Sequence, residues 1–141
     1  MPTRVSDAEW HGDLKTGKGR VALGSGAYEG QYNFSSRFES GVGTNPEELI
    51  AAAHAACFSM ALSAGLSGAG HVVESVKTTA RVKVEPVPGG FAITAIDLVT
   101  QARIPGIDTA EFDRIAAATK DGCPVSKALK AVPITLDARL V

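Results

Sequence analysis

The chain has 141 residues, 45% of them apolar and 21% charged, with a net charge of −1. That length suits one domain, residues 1–141, with a sizeable core. With near-zero charge, no electrostatic footprint for nucleic acid or an anionic membrane is visible.

Residues 1–10 carry no apolar signal core, so export is not indicated. Two cysteines without an export signal point to reduced thiols and a cytoplasmic location. If those cysteines pair, the bond is expected to be catalytic or regulatory rather than structural.

In chain order, residues 4–10 read as a first short strand and residues 20–23 as a second, with a turn at Gly17–Gly19. Residues 24–43 are glycine-rich and irregular. Within them, residues 32–38 read as a third strand or an ordered loop. A helix follows over residues 46–66. Thr44 or Asn45 can cap it, Pro46 suits its first position, and Glu47 lies three residues after Thr44 as in a capping box. Gly68 and Gly70 close it.

From Ile50 to Leu66 this helix contains no Asp, Glu, Lys or Arg. Apolar on every face, it is expected to be buried. The run is slightly short for a membrane span and rich in Ala, Ser and Gly, which favours a core helix over a spanning one. Its many alanines leave room for close approach by another element. One helix of small residues fills a core poorly, whereas two copies packed together fill it better. A homodimer is therefore attractive on packing grounds.

Residues 72–85 alternate, with Val76, Thr78, Ala80, Val82 and Val84 on one face, as in a half-buried antiparallel strand. Residues 86–90 form a turn and residues 91–103 the returning strand. Asp108 can cap a helix over residues 109–120 that turns Phe112, Ile115 and Ala116 to one side. Residues 123–130 open a short helix at Cys123-Pro124, and residues 134–140 alternate as a last strand. The class is α+β.

Cys57 and Cys123 lead the chemistry. Cys57 can be a small core residue or a nucleophile; a nucleophile must be a thiolate, which burial opposes and a guanidinium favours. Arg37 is placed to fold back over the helix. Cys123 opens a helix, where free amides favour a nucleophilic sulfur, and Gly122 before it allows close backbone approach. One of Glu47 and Glu48 suffices for the helix start, and the other is free to hold Arg37 by a bidentate pair. Glu47 and Cys57 are ten residues apart, about 15 Å along a helix. They can meet only if a second copy runs antiparallel. His54 and Cys57 share a helical face and with Cys123 offer three zinc ligands, but a structural site needs four and no fourth is evident. His11 and His71 have no local partner. Phe34 and Phe38 can line an apolar mouth near Arg37.

These residues carry a resemblance that covers essentially the whole chain. It rests on Trp10-His11-Gly12-Asp13, on Arg37-Phe38-Glu39, and on Thr44-Asn45-Pro46-Glu47-Glu48-Leu49 running into Ala53-His54-Ala55-Ala56-Cys57-Phe58. Pro105-Gly106-Ile107-Asp108 and Gly122-Cys123-Pro124-Val125-Ser126 complete it. The chain resembles the OsmC/Ohr family of thiol-dependent hydroperoxide reductases, and its OsmC branch in particular.

The resemblance implies an intertwined homodimer with a curved antiparallel sheet and the cysteine-bearing helices at its centre. It implies that Cys57 is the peroxidatic cysteine and Cys123 the resolving one. Arg37, with Arg20 in reserve, would stabilise the thiolate, and Glu47 would orient the arginine. The expected activity is reduction of organic hydroperoxides to alcohols through a Cys57 sulfenic acid and a Cys57–Cys123 disulfide, in oxidative and osmotic stress. An external dithiol, such as a lipoylated protein, would restore the thiols. No metal, flavin or haem is required. Apolar walls would favour an alkyl or lipid hydroperoxide. The rival expectation is a non-catalytic, stress-associated dimer that senses redox state or binds a ligand.

Overall fold

The computed structural model describes all of residues 1–141. Contacts divide the chain into two compact units, residues 1–49 and 50–141.

The first unit begins with strands β1 (Ser6–His11), β2 (Lys18–Leu23) and β3 (Glu29–Tyr32). They form an antiparallel sheet in the order β1-β2-β3. Val21 is its buried apolar residue, and the rings of Trp10 and Tyr32 lie 5.4 Å apart. The third strand ends at Tyr32, and a short helix, α1 (Phe34–Phe38), follows where a strand or loop was expected. A reciprocal cap is the reason. The Ser36 amide donates to Asn33 Oδ1 at 2.8 Å, and the Asn33 amide donates to Ser36 Oγ at 2.9 Å. Two first-turn donors are satisfied at once.

Helix α2 (Pro46–Gly68) starts with a side-chain cap of a different closure. The Glu48 amide donates to Asn45 Oδ1 at 2.8 Å, and Thr44 Oγ1 donates to Glu48 Oε2 at 2.7 Å. Asn45 is thus the cap and Glu48, rather than Glu47, stands at the third helical position. At the other end the His71 amide reaches the Leu66 carbonyl at 3.1 Å. That closure needs Gly70 at φ 91°, a conformation that suits glycine.

The second unit contains most of α2, strands β4 (Ser75–Val87) and β5 (Gly90–Arg103), helices α3 (Thr109–Gly122) and α4 (Pro124–Ala128), and strand β6 (Ile134–Leu140). β4 and β5 pair antiparallel across a tight turn at Pro88-Gly89, with an irregularity between Lys83 and Val84. The expected antiparallel sheet holds for this pair. β6, however, pairs parallel to β5, because α3 and α4 carry the chain back before β6 begins. Asp108 stands at the cap of α3 but its side chain makes no capping bond. Phe112, Ile115 and Ala116 face inward as expected.

The core of this unit joins Phe58, Leu62 and Leu66 of α2 to Ile96, Leu98 and Ala102 of β5 and to Phe112 and Ile115 of α3. A hydroxyl ladder crosses the same layer. Ser59 Oγ donates to Thr78 Oγ1 at 2.8 Å, which lies 2.9 Å from Thr100 Oγ1.

Within one chain α2 buries a stripe rather than its whole circumference. His54, Phe58, Leu62 and Leu66 are buried, while Ala52, Ala53, Ala56 and Ala64 are exposed and Met60 is 76% exposed. The helix is long and apolar enough to cross a membrane by length and composition. A single sheet covers only one side of a cylinder, so the alanine face has no cover in this chain.

Truncating the core that packs on this stripe should weaken the fold far more than truncating the outer sheet face. Leu98→Ala is expected to lower unfolding free energy by about 2–5 kcal/mol, and Lys77→Ala, on the exposed side of β4, to change it by no more than about 0.5 kcal/mol. Urea denaturation of the reduced protein measures both.

Candidate active site

Two clusters of chemically capable residues form, one in each unit. The first is built on α1 and the first turn of α2. With Glu48 taken up by the cap, Glu47 is free, and its side chain is only 6% exposed. Arg37, in the last turn of α1, donates from Nη2 to Glu47 Oε1 at 2.8 Å and from Nε to both carboxylate oxygens at 3.2 Å. The pair is a bidentate fork, which fixes the guanidinium plane. The same guanidinium sits 5.1 Å from the centre of the Phe38 ring. Phe38 packs on Phe34 with centroids 5.1 Å apart. Trp10, Leu14, Tyr32, Phe34, Arg37 and Phe38 line a cleft of about 310 Å³. Arg20 is engaged elsewhere, 2.5 Å from Glu29 on the exposed face of β2 and β3.

The second cluster holds the thiols. Both cysteines are free; Cys57 on α2 is half-buried and Cys123 is 1% exposed. Cys57 packs against the core cluster to which Cys123 belongs, and the two thiols are near enough to influence each other. Burial pushes the Cys57 thiol above its ordinary value, the Val125 amide works against that rise, and the neighbouring Cys123 adds to it. Cys123 caps α4, with Pro124 at the first helical position. The Ser126 amide donates to Cys123 Sγ at 3.3 Å, and the Cys123 thiol donates to Ser126 Oγ at 3.1 Å. Ser126 Oγ lies 2.7 Å from His54 Nε2. His54 is fully buried, its Nδ1 has no partner, and burial pushes its imidazole below the ordinary value.

The structure therefore brings Cys57 to Cys123 and Arg37 to Glu47, each pair within one unit. Two sequence expectations change. Gly122 is not there for close approach, since a Cβ added to it would meet nothing within 4 Å. His11 has a local carboxylate partner in Glu9 at 2.9 Å, whereas His71, without a local partner, meets the distant Glu111 at 3.2 Å. Ser126, which holds Cys123 and His54 together, was not singled out. Its signal was its place three residues after Cys123, the position where a side chain and amide turn back to a helix cap.

Comparison with known proteins gives a consistent picture. A family profile described as OsmC-like protein matches residues 39–137. The chain is 55% identical over 138 residues to the protein named Peroxiredoxin OsmC from Escherichia coli strain K12, covering 97% of this chain and 96% of that one. It is 35% identical over 98 residues to the organic hydroperoxide resistance protein of Xanthomonas axonopodis pv. citri, covering 68% and 67%. Among solved structures, an organic hydroperoxide resistance protein OsmC from Legionella pneumophila superposes with a TM-score of 0.69 at 25% identity, covering 96% of each chain. A family profile matching most of the chain and a relative more than half identical over nearly its full length leave one assignment: the chain belongs to the OsmC-like family, in its OsmC branch.

Proposed function

We propose that this chain is a cysteine-based peroxidase that reduces organic hydroperoxides to alcohols. The observation that carries this reading is the contact between two free, sheltered thiols, Cys57 and Cys123. The names of the relatives, a peroxiredoxin and a hydroperoxide resistance protein, support the same class.

Cys57 is the attacking sulfur in this reading. Its thiolate displaces the alkoxide from the distal oxygen of the hydroperoxide; the O–O bond breaks, the alkoxide takes up a proton, and Cys57 is left as a sulfenic acid. The Cys123 sulfur then attacks Cys57, releasing water and forming a disulfide. An external dithiol, such as a lipoyl group on a protein, reduces that bond by exchange. A cytoplasmic location fits thiols that must be kept reduced.

Burial alone disfavours the Cys57 thiolate, so the reading needs a positive group. Arg37 is assigned that role, with Glu47 holding the guanidinium plane. The helical spacing of Glu47 and Cys57 argues that the arginine of one chain serves the thiol of a second copy. The uncovered alanine face of α2 supports a homodimer that packs these helices together. The aromatic cleft beside Arg37 would accept the alkyl part of the peroxide, favouring organic peroxides over hydrogen peroxide by burial of apolar surface. A pair of free neighbouring thiols would also suit a non-catalytic redox sensor, and turnover separates the two readings.

With cumene hydroperoxide and a dithiol, the wild type is expected to consume peroxide continuously, and Cys57→Ser to show no turnover above background. Cys123→Ser should react once and stop at the sulfenic acid; normal turnover of that variant with a protein dithiol would remove Cys123 from the resolving role. Arg37→Ala should slow the first step by about 10- to 100-fold, the loss expected for one charge-assisted contact. Because burial raises the Cys57 thiol, its residual rate should climb with pH through the alkaline range, while the wild-type rate levels off earlier. An unchanged profile would remove Arg37 from the site. Sedimentation should give twice the 14.5 kDa mass of one chain, and Ala53→Glu should lower that mass and the activity together.

A further inference from the structure

His54 is an ionisable side chain sealed inside the second unit, and the reaction described above gives it no task. A histidine kept for packing alone would be expected to satisfy both ring nitrogens. This one has a partner only at Nε2, and its Nδ1 is a buried polar atom with none. Such atoms are rare and call for an explanation.

The Nε2 partner supplies one. Ser126 is 2% exposed and touches both His54 and Cys123. A serine hydroxyl carries one hydrogen. While the Cys123 thiol donates to Ser126 Oγ, the acceptor within reach of that hydrogen is His54 Nε2, in the tautomer that leaves Nε2 bare. The ring hydrogen is then on Nδ1, the atom without a partner. The result is a directed chain from Cys123 S–H through Ser126 O–H to a free imidazole nitrogen, with Cys57 against its sulfur end.

We propose that Ser126 and His54 form a proton relay for Cys123, drawing off its thiol proton as it attacks the Cys57 sulfenic acid. The proposal rests on the peroxidase reading and deepens it. As the S–S bond forms, the S–O bond of Cys57 breaks and its electron pair leaves on oxygen. The Cys123 proton passes to Ser126 Oγ while the serine's own hydrogen passes to Nε2. The proton returns from His54 to Ser126, whose hydroxyl passes its hydrogen to the departing hydroxide beside the new disulfide; the hydroxide leaves as water, and no other reactant is needed. Burial keeps the imidazolium short-lived, so His54 holds the proton only during the crossing. Ser126 touches the reacting sulfur directly; His54 is a positioning and proton-holding residue that acts through it.

The test separates the two chemical steps in one turnover. Reduced protein is mixed with one equivalent of cumene hydroperoxide, and peroxide loss and disulfide formation are followed independently, the sulfenic acid being trapped with a 1,3-diketone. Ser126→Ala and His54→Gln are expected to leave peroxide loss within about twofold of wild type and to slow disulfide formation about tenfold or more. Ser126→Thr, which keeps the hydroxyl, should restore most of the lost rate. Equal slowing of both steps, or wild-type condensation in Ser126→Ala, would overturn the relay. Nitrogen-15 spectra of histidine-labelled, reduced wild type need no variant to fold: the ring hydrogen of His54 is expected on Nδ1, and finding it on Nε2 overturns the relay. If the wild type itself does not consume the peroxide, the peroxidase reading fails; if it does and the variants condense normally, only the relay fails.

Discussion

The inner stripe of α2 must be kept from water, and the second unit is arranged to do that. Phe58, Leu62 and Leu66 pack on Ile96, Leu98 and Ala102 of β5 and on Phe112 and Ile115 of α3. Each such side chain contributes on the order of 1.5–3 kcal/mol on burial. Cys57 and His54 lie on or beside the same stripe, so whatever seats the stripe also seats the chemistry. Cys123 belongs to the same cluster from the far side, at the start of α4. The contact between the thiols is therefore a by-product of core packing and needs no dedicated scaffold.

Burial sets the electrostatic problem as well. A sheltered thiol avoids charge, and Cys57 is pushed upward for that reason. On the proposed reading a guanidinium offsets that push, and such a guanidinium must itself be held still. In the first unit that holding is done by a division of labour between two adjacent carboxylates. Glu48 turns back to Thr44 and to the Asn45 cap, and Glu47 forms the fork with Arg37. The one-residue phase between them decides which carboxylate caps and which binds. On the proposed reading the two clusters complete each other only in a pair of chains, which makes assembly and activity a single requirement.

Polar groups in the second unit are used sparingly and in lines. Ser59, Thr78 and Thr100 satisfy one another across the core. His54, Ser126 and Cys123 form a second line, and it differs in having an open end at Nδ1. A closed line only holds; an open one can pass a proton.

Local chemistry made much of this legible in the residues alone. The alternation of β4, the inward face of α3, the strand at residues 134–140 and the proline-opened helix after Cys123 all follow from period and capping, which act over a few residues. The two thiols and the arginine with its carboxylate were nameable for the same reason. What the chain alone could not state depends on distant partners. The parallel pairing of β6 with β5 follows from the path of the crossover helices. Ser126 matters because His54, seventy-two residues earlier, is folded against it. The sequence by itself determined which side chains can do chemistry, because reactivity resides in residue type. Only the tertiary structure decided which of them meet, because Cys57, Cys123, Ser126 and His54 are brought together by the burial of Phe58, Leu62 and Leu66 rather than by anything written between them.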